Sequence, residues 1–99
     1  LPLKVALFAQ LMSTEYTEIR VRKYSARWGS CSSNGVLSFN YLLMMAPEWV
    51  VDYVVIHELS HRFHMNHSPD FWRMVAKFCP KYKHAKEWFK THQSYLHWN

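Results

Sequence analysis

Residues 47–67, PEWVVDYVVIHELSHRFHMNH, constrain this chain more than any other stretch. Val50, Val51, Tyr53, Val54, Val55, Ile56 and Leu59 leave almost no polar face, and a helix that is apolar all round belongs in the middle of a fold. Pro47 suits the first helical position, and Glu48 complements the positive end of the helix dipole. The helix is expected to run from Pro47 to near Met65. Its second half nevertheless holds His57, Glu58 and His61, polar groups that are costly to bury without partners.

The rest of the chain can support such a helix. With 49% hydrophobic and 17% aromatic residues, 99 residues suffice for one domain with a modest core. The chain starts at Leu1, and residues 1–99 are expected to be a fragment of a longer protein. No apolar run reaches the roughly 18 residues needed to span a bilayer, and no signal peptide is recognisable. A cytoplasmic location and two free thiols, Cys31 and Cys79, are the expectation. The formal charge of +5 suits an acidic partner or a solvated basic face.

In chain order, Val5, Phe8, Ala9 and Met12 give Pro2 to Met12 one inward side of a helix. From Tyr16 to Lys23 the period changes to two, predicting a half-exposed strand with Arg20, Arg22 and Lys23 on a basic face. Arg27 to Ser33 reads as a second strand and Val36 to Asn40 as a third. Asn34-Gly35 between them predicts a type I′ hairpin turn. As the only glycines, Gly29 and Gly35 are each expected to serve a special backbone conformation. Ser68-Pro69-Asp70 marks the start of another helix, ended by Pro80, and a last helix is expected from about Lys83 to Tyr95. Met44, Met45, Met65, Met74, Trp28, Trp49, Trp72 and Trp88 are assigned to the core. The fold class is therefore α+β: a small three-stranded antiparallel sheet packed on the long helix, with helices at both ends.

His57-Glu58-Leu59-Ser60-His61 matches H-E-x-x-H. Histidines four apart lie one turn apart on one helix face, so both imidazoles can reach a single metal ion. Glu58 is rotated away from them, where it can act on a metal-bound water. A catalytic zinc takes three protein ligands. His67 can supply the third if the helix ends near Met65 and Asn66 takes a left-handed turn. His64, His84 and Glu87 are rivals for that place. Zn²⁺ is the expected cofactor, and Glu58 as general base makes metal-assisted amide hydrolysis the expected chemistry. Tyr53, one turn before His57, is a candidate support for that ligand, and Arg27 and Trp28 are candidates to shape the pocket.

Arg27-Trp28-Gly29-Ser30-Cys31-Ser32, Asn40, Pro47, residues 52–61, Asn66-His67-Ser68 and Phe71-Trp72 together resemble the YgjP-like metallopeptidase family, which is similar to the SprT-like and WLM zincins. The resemblance spans nearly the whole chain. It implies a zincin fold, zinc on His57, His61 and His67, a catalytic Glu58, and a peptide or protein substrate. His64 stands where metzincins have glycine, and no methionine turn follows, so the pattern is not that of a metzincin. In zincins the substrate often lies along a sheet edge, which the third strand is expected to offer. Two alternatives accompany this reading. One is a metal-dependent nucleoside triphosphate (UTP) pyrophosphatase, an activity credited to some members of the resembled family, with Arg20, Arg22, Lys23 and Arg27 holding phosphates. The other is a nucleic-acid-associated protease or binding module, suggested only by the basic residues.

Overall fold

A computed structural model describes residues 1–23 and 27–92. The order is α1 (Pro2–Leu11), β1 (Glu18–Arg22), β2 (Gly29–Cys31), β3 (Val36–Asn40), a 3-10 helix (Tyr41–Met45), α2 (Glu48–Ser60), α3 (Pro69–Phe78) and α4 (Tyr82–His92). The class is α+β, as expected. Tyr95, placed in the last helix by the sequence, lies outside the described residues. Among the described residues no helix is long and apolar enough to cross a membrane.

The sheet is mixed rather than antiparallel. Its strand order is β1-β3-β2, with β1 parallel to β3 and β2 antiparallel to it. A parallel pair requires a long connection, and β2 lies in the chain between β1 and β3. The composition of each strand suits its place. Leu37, Ser38, Phe39 and Asn40 of β3 are buried in the middle, whereas Glu18, Arg20 and Arg22 are exposed on β1, as suits an edge. The strand expected to offer the free edge is thus the central one, and the edges are β1 and β2. Arg20 on β1 is bonded to Glu18 through its Nε, at 2.9 Å.

The β2–β3 turn also departs from type I′. That turn needs positive φ at two residues, but Gly35 (φ 89) has it and Asn34 does not. The loop is one residue longer. Gly35 N–H donates to Ser32 O and Ser32 N–H to Val36 O, both at 3.0 Å, while Ser32 Oγ accepts from Val36 N–H at 3.0 Å. A Cβ on Gly35 would also approach the Arg62 guanidinium to 3.1 Å.

α2 is the central element, touching α1, α3, α4 and β2. Every residue from Tyr53 to Ser60 on it is buried. Pro47 is the N-cap and not the first helical residue: with ψ 149 it lies outside the helix, and its carbonyl accepts from Val50 and Val51 N–H. Lys4 of α1 forms ion pairs with Glu48 and Asp52 and so ties the two helices together. Val5, Ala9 and Met12 of α1 are buried as expected, yet Leu3, Leu7 and Leu11 on its other side are exposed. Met44, Met45, Met65 and Trp49 are exposed and do not belong to the core, and Trp72, Trp88 and Met74 pack at its margin. Only Trp28, among the tryptophans assigned to the core, is fully enclosed, its ring 4.9 Å from that of Phe89. Cys31 and Cys79 are free thiols.

Candidate functional site

α2 ends at Ser60, earlier than the sequence suggests, and its last turn tightens. His61, Arg62 and Phe63 N–H donate to the carbonyls three residues back, those of Glu58, Leu59 and Ser60, at 3.2, 3.0 and 3.0 Å. Asn66 takes no left-handed conformation; Ser13 is the non-glycine with positive φ among the described residues. The tightened turn brings the chain round instead. Ser68 then caps α3, its Oγ accepting from Phe71 N–H at 3.3 Å, and this anchors the backbone directly after His67.

The result gathers three rings. His57, His61 and His67 each offer a nitrogen within 4.8 Å of the others. His57 Nε2 and His67 Nε2 are 3.3 Å apart. Two nitrogens at zinc-ligand distance in a tetrahedron stand about 3.3 Å apart, so this spacing fits one small cation. Phe71 packs against all three rings, with centroids 5.0 Å from His57, 4.6 Å from His61 and 5.0 Å from His67. It acts as a buried spacer beneath them. Trp72 stacks beside the exposed His67 at 5.9 Å and on Tyr82 at 5.5 Å, with Lys86 Nζ 4.3 Å above its ring.

Hydrogen bonds select the ring nitrogens. His61 Nδ1 lies 3.0 Å from the carbonyl oxygen of His64. A carbonyl can only accept, so Nδ1 carries the proton and a neutral His61 presents its Nε2 lone pair to the cluster. His57 Nδ1 is 3.3 Å from Tyr53 Oη, placing its Nε2 likewise toward His67. Burial, and after it the charge of Glu58, pushes the Tyr53 hydroxyl far above its ordinary range, so it remains a neutral O–H. Such outer partners fix tautomer and ring orientation in metal sites.

Glu58 is completely buried beside β2. A Cβ on Gly29 would meet Glu58 Oε2 at 3.0 Å and Cγ at 3.2 Å. Gly29 has no positive φ, so its purpose is room for a side chain and not backbone freedom. Beside His61 opens a cavity of about 360 Å³ lined by Arg27, Ser30, Cys31, Ser32, His61 and Met65. Burial and the charge of Glu58 raise the Cys31 thiol to about 11, so it stays protonated and apolar there. Arg27 reaches the cavity as anticipated, whereas Trp28 turns into the core.

The rival histidine, His64, contributes its backbone carbonyl and not its ring. His84 and Glu87 lie exposed on α4, outside the cluster. Sequence reasoning missed Phe71 as spacer, although its position three residues after the capping Ser68 fixes it to the turn that carries His67.

Two solved structures share this fold. The solved structure of the metallopeptidase zymogen abylysin of Pyrococcus abyssi is similar, with a TM-score of 0.85 at 21% identity over 96% of each chain. The metallopeptidase zymogen jannalysin of Methanocaldococcus jannaschii aligns with a TM-score of 0.70 at 21% identity, covering 91% of this chain and 95% of that one. At such identities the likeness concerns the fold. No curated protein sequence matches the chain. The sequence model of the YgjP-like metallopeptidase domain, however, matches residues 1–92. The chain therefore belongs to the YgjP-like metallopeptidase family.

Proposed function

We propose that His57, His61 and His67 hold one zinc ion, and that the chain hydrolyses peptide bonds with Glu58 as general base. The observation that carries this reading is the convergence of three imidazole nitrogens within 4.8 Å, at the end of a buried helix on which Glu58 follows His57 and is itself fully buried. Three neutral imidazoles suit zinc among the divalent ions. Zinc in such a site supplies an activated water near neutral pH and polarises the scissile carbonyl.

The chain's own groups do the rest. Glu58 accepts a proton from the attacking water and delivers it to the leaving amine nitrogen. The His64 carbonyl holds His61 in the tautomer that points its Nε2 inward, and Tyr53 Oη does the same for His57 when it accepts from His57 Nδ1. Among the described residues β2 pairs with β3 on one side only, so an extended peptide can add along its other side, beside Glu58. The nucleotide alternative has weaker support. Of Arg20, Arg22, Lys23 and Arg27, only Arg27 lines the cavity that reaches His61, and Arg20 is engaged by Glu18.

The test pairs metal analysis with Glu58→Gln. The wild type is expected to bind one equivalent of zinc and to cleave a fluorogenic peptide set. The variant should bind zinc equally and lose about 10²–10⁴-fold in turnover, the range for a general base. Undiminished turnover in the variant would refute the assignment of Glu58. Release of pyrophosphate from UTP without peptide cleavage would favour the alternative.

A further inference from the structure

The cavity beside His61 has one feature that the hydrolytic machinery does not use. Arg27 lines it, and among the described residues no carboxylate does. Several other cations are engaged: Lys4 with Glu48 and Asp52, Arg20 with Glu18, Arg73 with Asp70. Arg62 donates to the Glu15 and Ser33 carbonyls at 2.9 and 3.1 Å. The Arg27 guanidinium forms no ion pair among the described residues. Its backbone, by contrast, is held firmly. Asn40 Nδ2 donates to the Arg27 carbonyl at 2.8 Å, Asn40 N–H donates to the Trp28 carbonyl at 2.9 Å, and the Trp28 ring is locked in the core. A fixed base with an unengaged planar fork is suited to bidentate recognition of a carboxylate.

The remaining lining supports the same ligand. Ser30 and Ser32 add hydroxyls, while Met65 and Cys31 provide an apolar wall. A volume of about 360 Å³ is at the small end of ligand sites and suits a short piece of peptide. The cavity runs from Arg27 to His61 along β2, the edge strand that also abuts Glu58. A peptide laid on β2 therefore reaches the reacting centre and the guanidinium together. We propose that this cavity is the subsite that receives a carboxylate of the peptide substrate, and that Arg27 is the specificity-determining residue that binds it. This inference rests on the peptidase reading. The carboxylate comes either from an Asp or Glu side chain or from the substrate's C-terminus.

Matched peptides separate these sources: Glu against Gln at each position flanking the cleaved bond, and a free C-terminal acid against the amide. kcat/KM is measured for each with zinc-loaded wild type, Arg27→Ala and Arg27→Lys. Wild type should prefer the acid of one matched pair by about tenfold or more, the scale of a charge-assisted hydrogen bond. The preference should collapse in Arg27→Ala and return in part in Arg27→Lys. A preference carried by the Glu/Gln pairs identifies a side chain, and one carried by the acid/amide pair identifies the C-terminus. Equal rates for acid and neutral peptides in wild type, or a preference that survives in Arg27→Ala, would overturn the proposal. The same pairs are titrated against zinc-loaded Glu58→Gln with and without Arg27→Ala, following fluorescence anisotropy. Acid-selective, Arg27-dependent binding supports the subsite even if no peptide is cleaved, a result that would count against the peptidase reading alone. Equal binding of acid and neutral peptides overturns the subsite while leaving that reading intact.

Discussion

Gly29→Ala probes the position of the buried carboxylate without touching a histidine. The backbone there accepts an L-residue, because Gly29 has no positive φ. The obstruction is steric: the new Cβ would lie 3.0 Å from Glu58 Oε2, 3.2 Å from Glu58 Cγ and 3.3 Å from Ser38 O. Non-bonded heavy atoms settle at about 3.5–4.0 Å, so something must yield by roughly half an ångström. Ser38 belongs to the paired centre of the sheet, opposite Ser30, which leaves the Glu58 side chain as the group that moves. Overpacking of this kind costs about 1–3 kcal/mol, offset by about 0.4–1 kcal/mol from the smaller entropy of the unfolded chain. A net loss of about 1–2 kcal/mol follows, lowering Tm by about 4–8 °C for each kcal/mol in a domain of this size. A displacement of about 1 Å in a catalytic group can cost 100-fold, so turnover should fall at least tenfold. Zinc stoichiometry should be unchanged, since His57, His61 and His67 lie outside the clash. Peptidase kinetics, thermal denaturation and metal analysis on the same preparation give all three numbers. Wild-type turnover in a folded, zinc-loaded Gly29→Ala protein would refute the idea that β2 holds the carboxylate in register.

Tyr53→Phe removes the hydroxyl opposite His57 Nδ1 and should weaken zinc binding by about tenfold or more in a chelator competition, the usual effect of losing an outer partner. Ser68→Ala removes the cap of α3 and should cost about 1 kcal/mol in urea unfolding; zinc affinity should fall with it, because the cap anchors His67. The Cys31 thiol, raised from 9.0 to about 11 by burial and by Glu58, keeps its proton in the fold at pH values where the unfolded chain has lost it. Stability should therefore decline as pH rises from about 9 to 11, a slope that Cys31→Ala reduces. Alkylation of Cys31 in the folded protein should be slow at pH 8.

Much of this arrangement was legible because it is local. The spacing of His57, Glu58 and His61 fixes their relative directions once a helix is granted, and Ser68-Pro69-Asp70 declares the next helix start just beyond His67. What escaped was decided by distant neighbours. Nothing within Val36–Asn40 says that β1 will pair on one flank and β2 on the other; that follows from the charge on β1 and the buried character of β3 together. The left-handed Asn66 was a plausible way to return the chain, but the shortened last turn of α2 made it unnecessary. Gly29 looked like a backbone residue because its steric partner, Glu58, is remote in sequence. The exposed Met44, Met45 and Trp49 show that apolar character does not by itself assign a residue to the interior.

The two rims of the sheet meet the surroundings on different terms. β1 alternates Glu18, Arg20 and Arg22 outward, a charged fringe that discourages a sister molecule from continuing the sheet. β2 carries no charge, and its brevity, three residues from Gly29 to Cys31, protects it. Such a short ladder is too weak to hold a stray strand in water. It becomes useful only to a chain already gripped elsewhere, so the same brevity that keeps copies apart reserves this rim for a guest with a second hold.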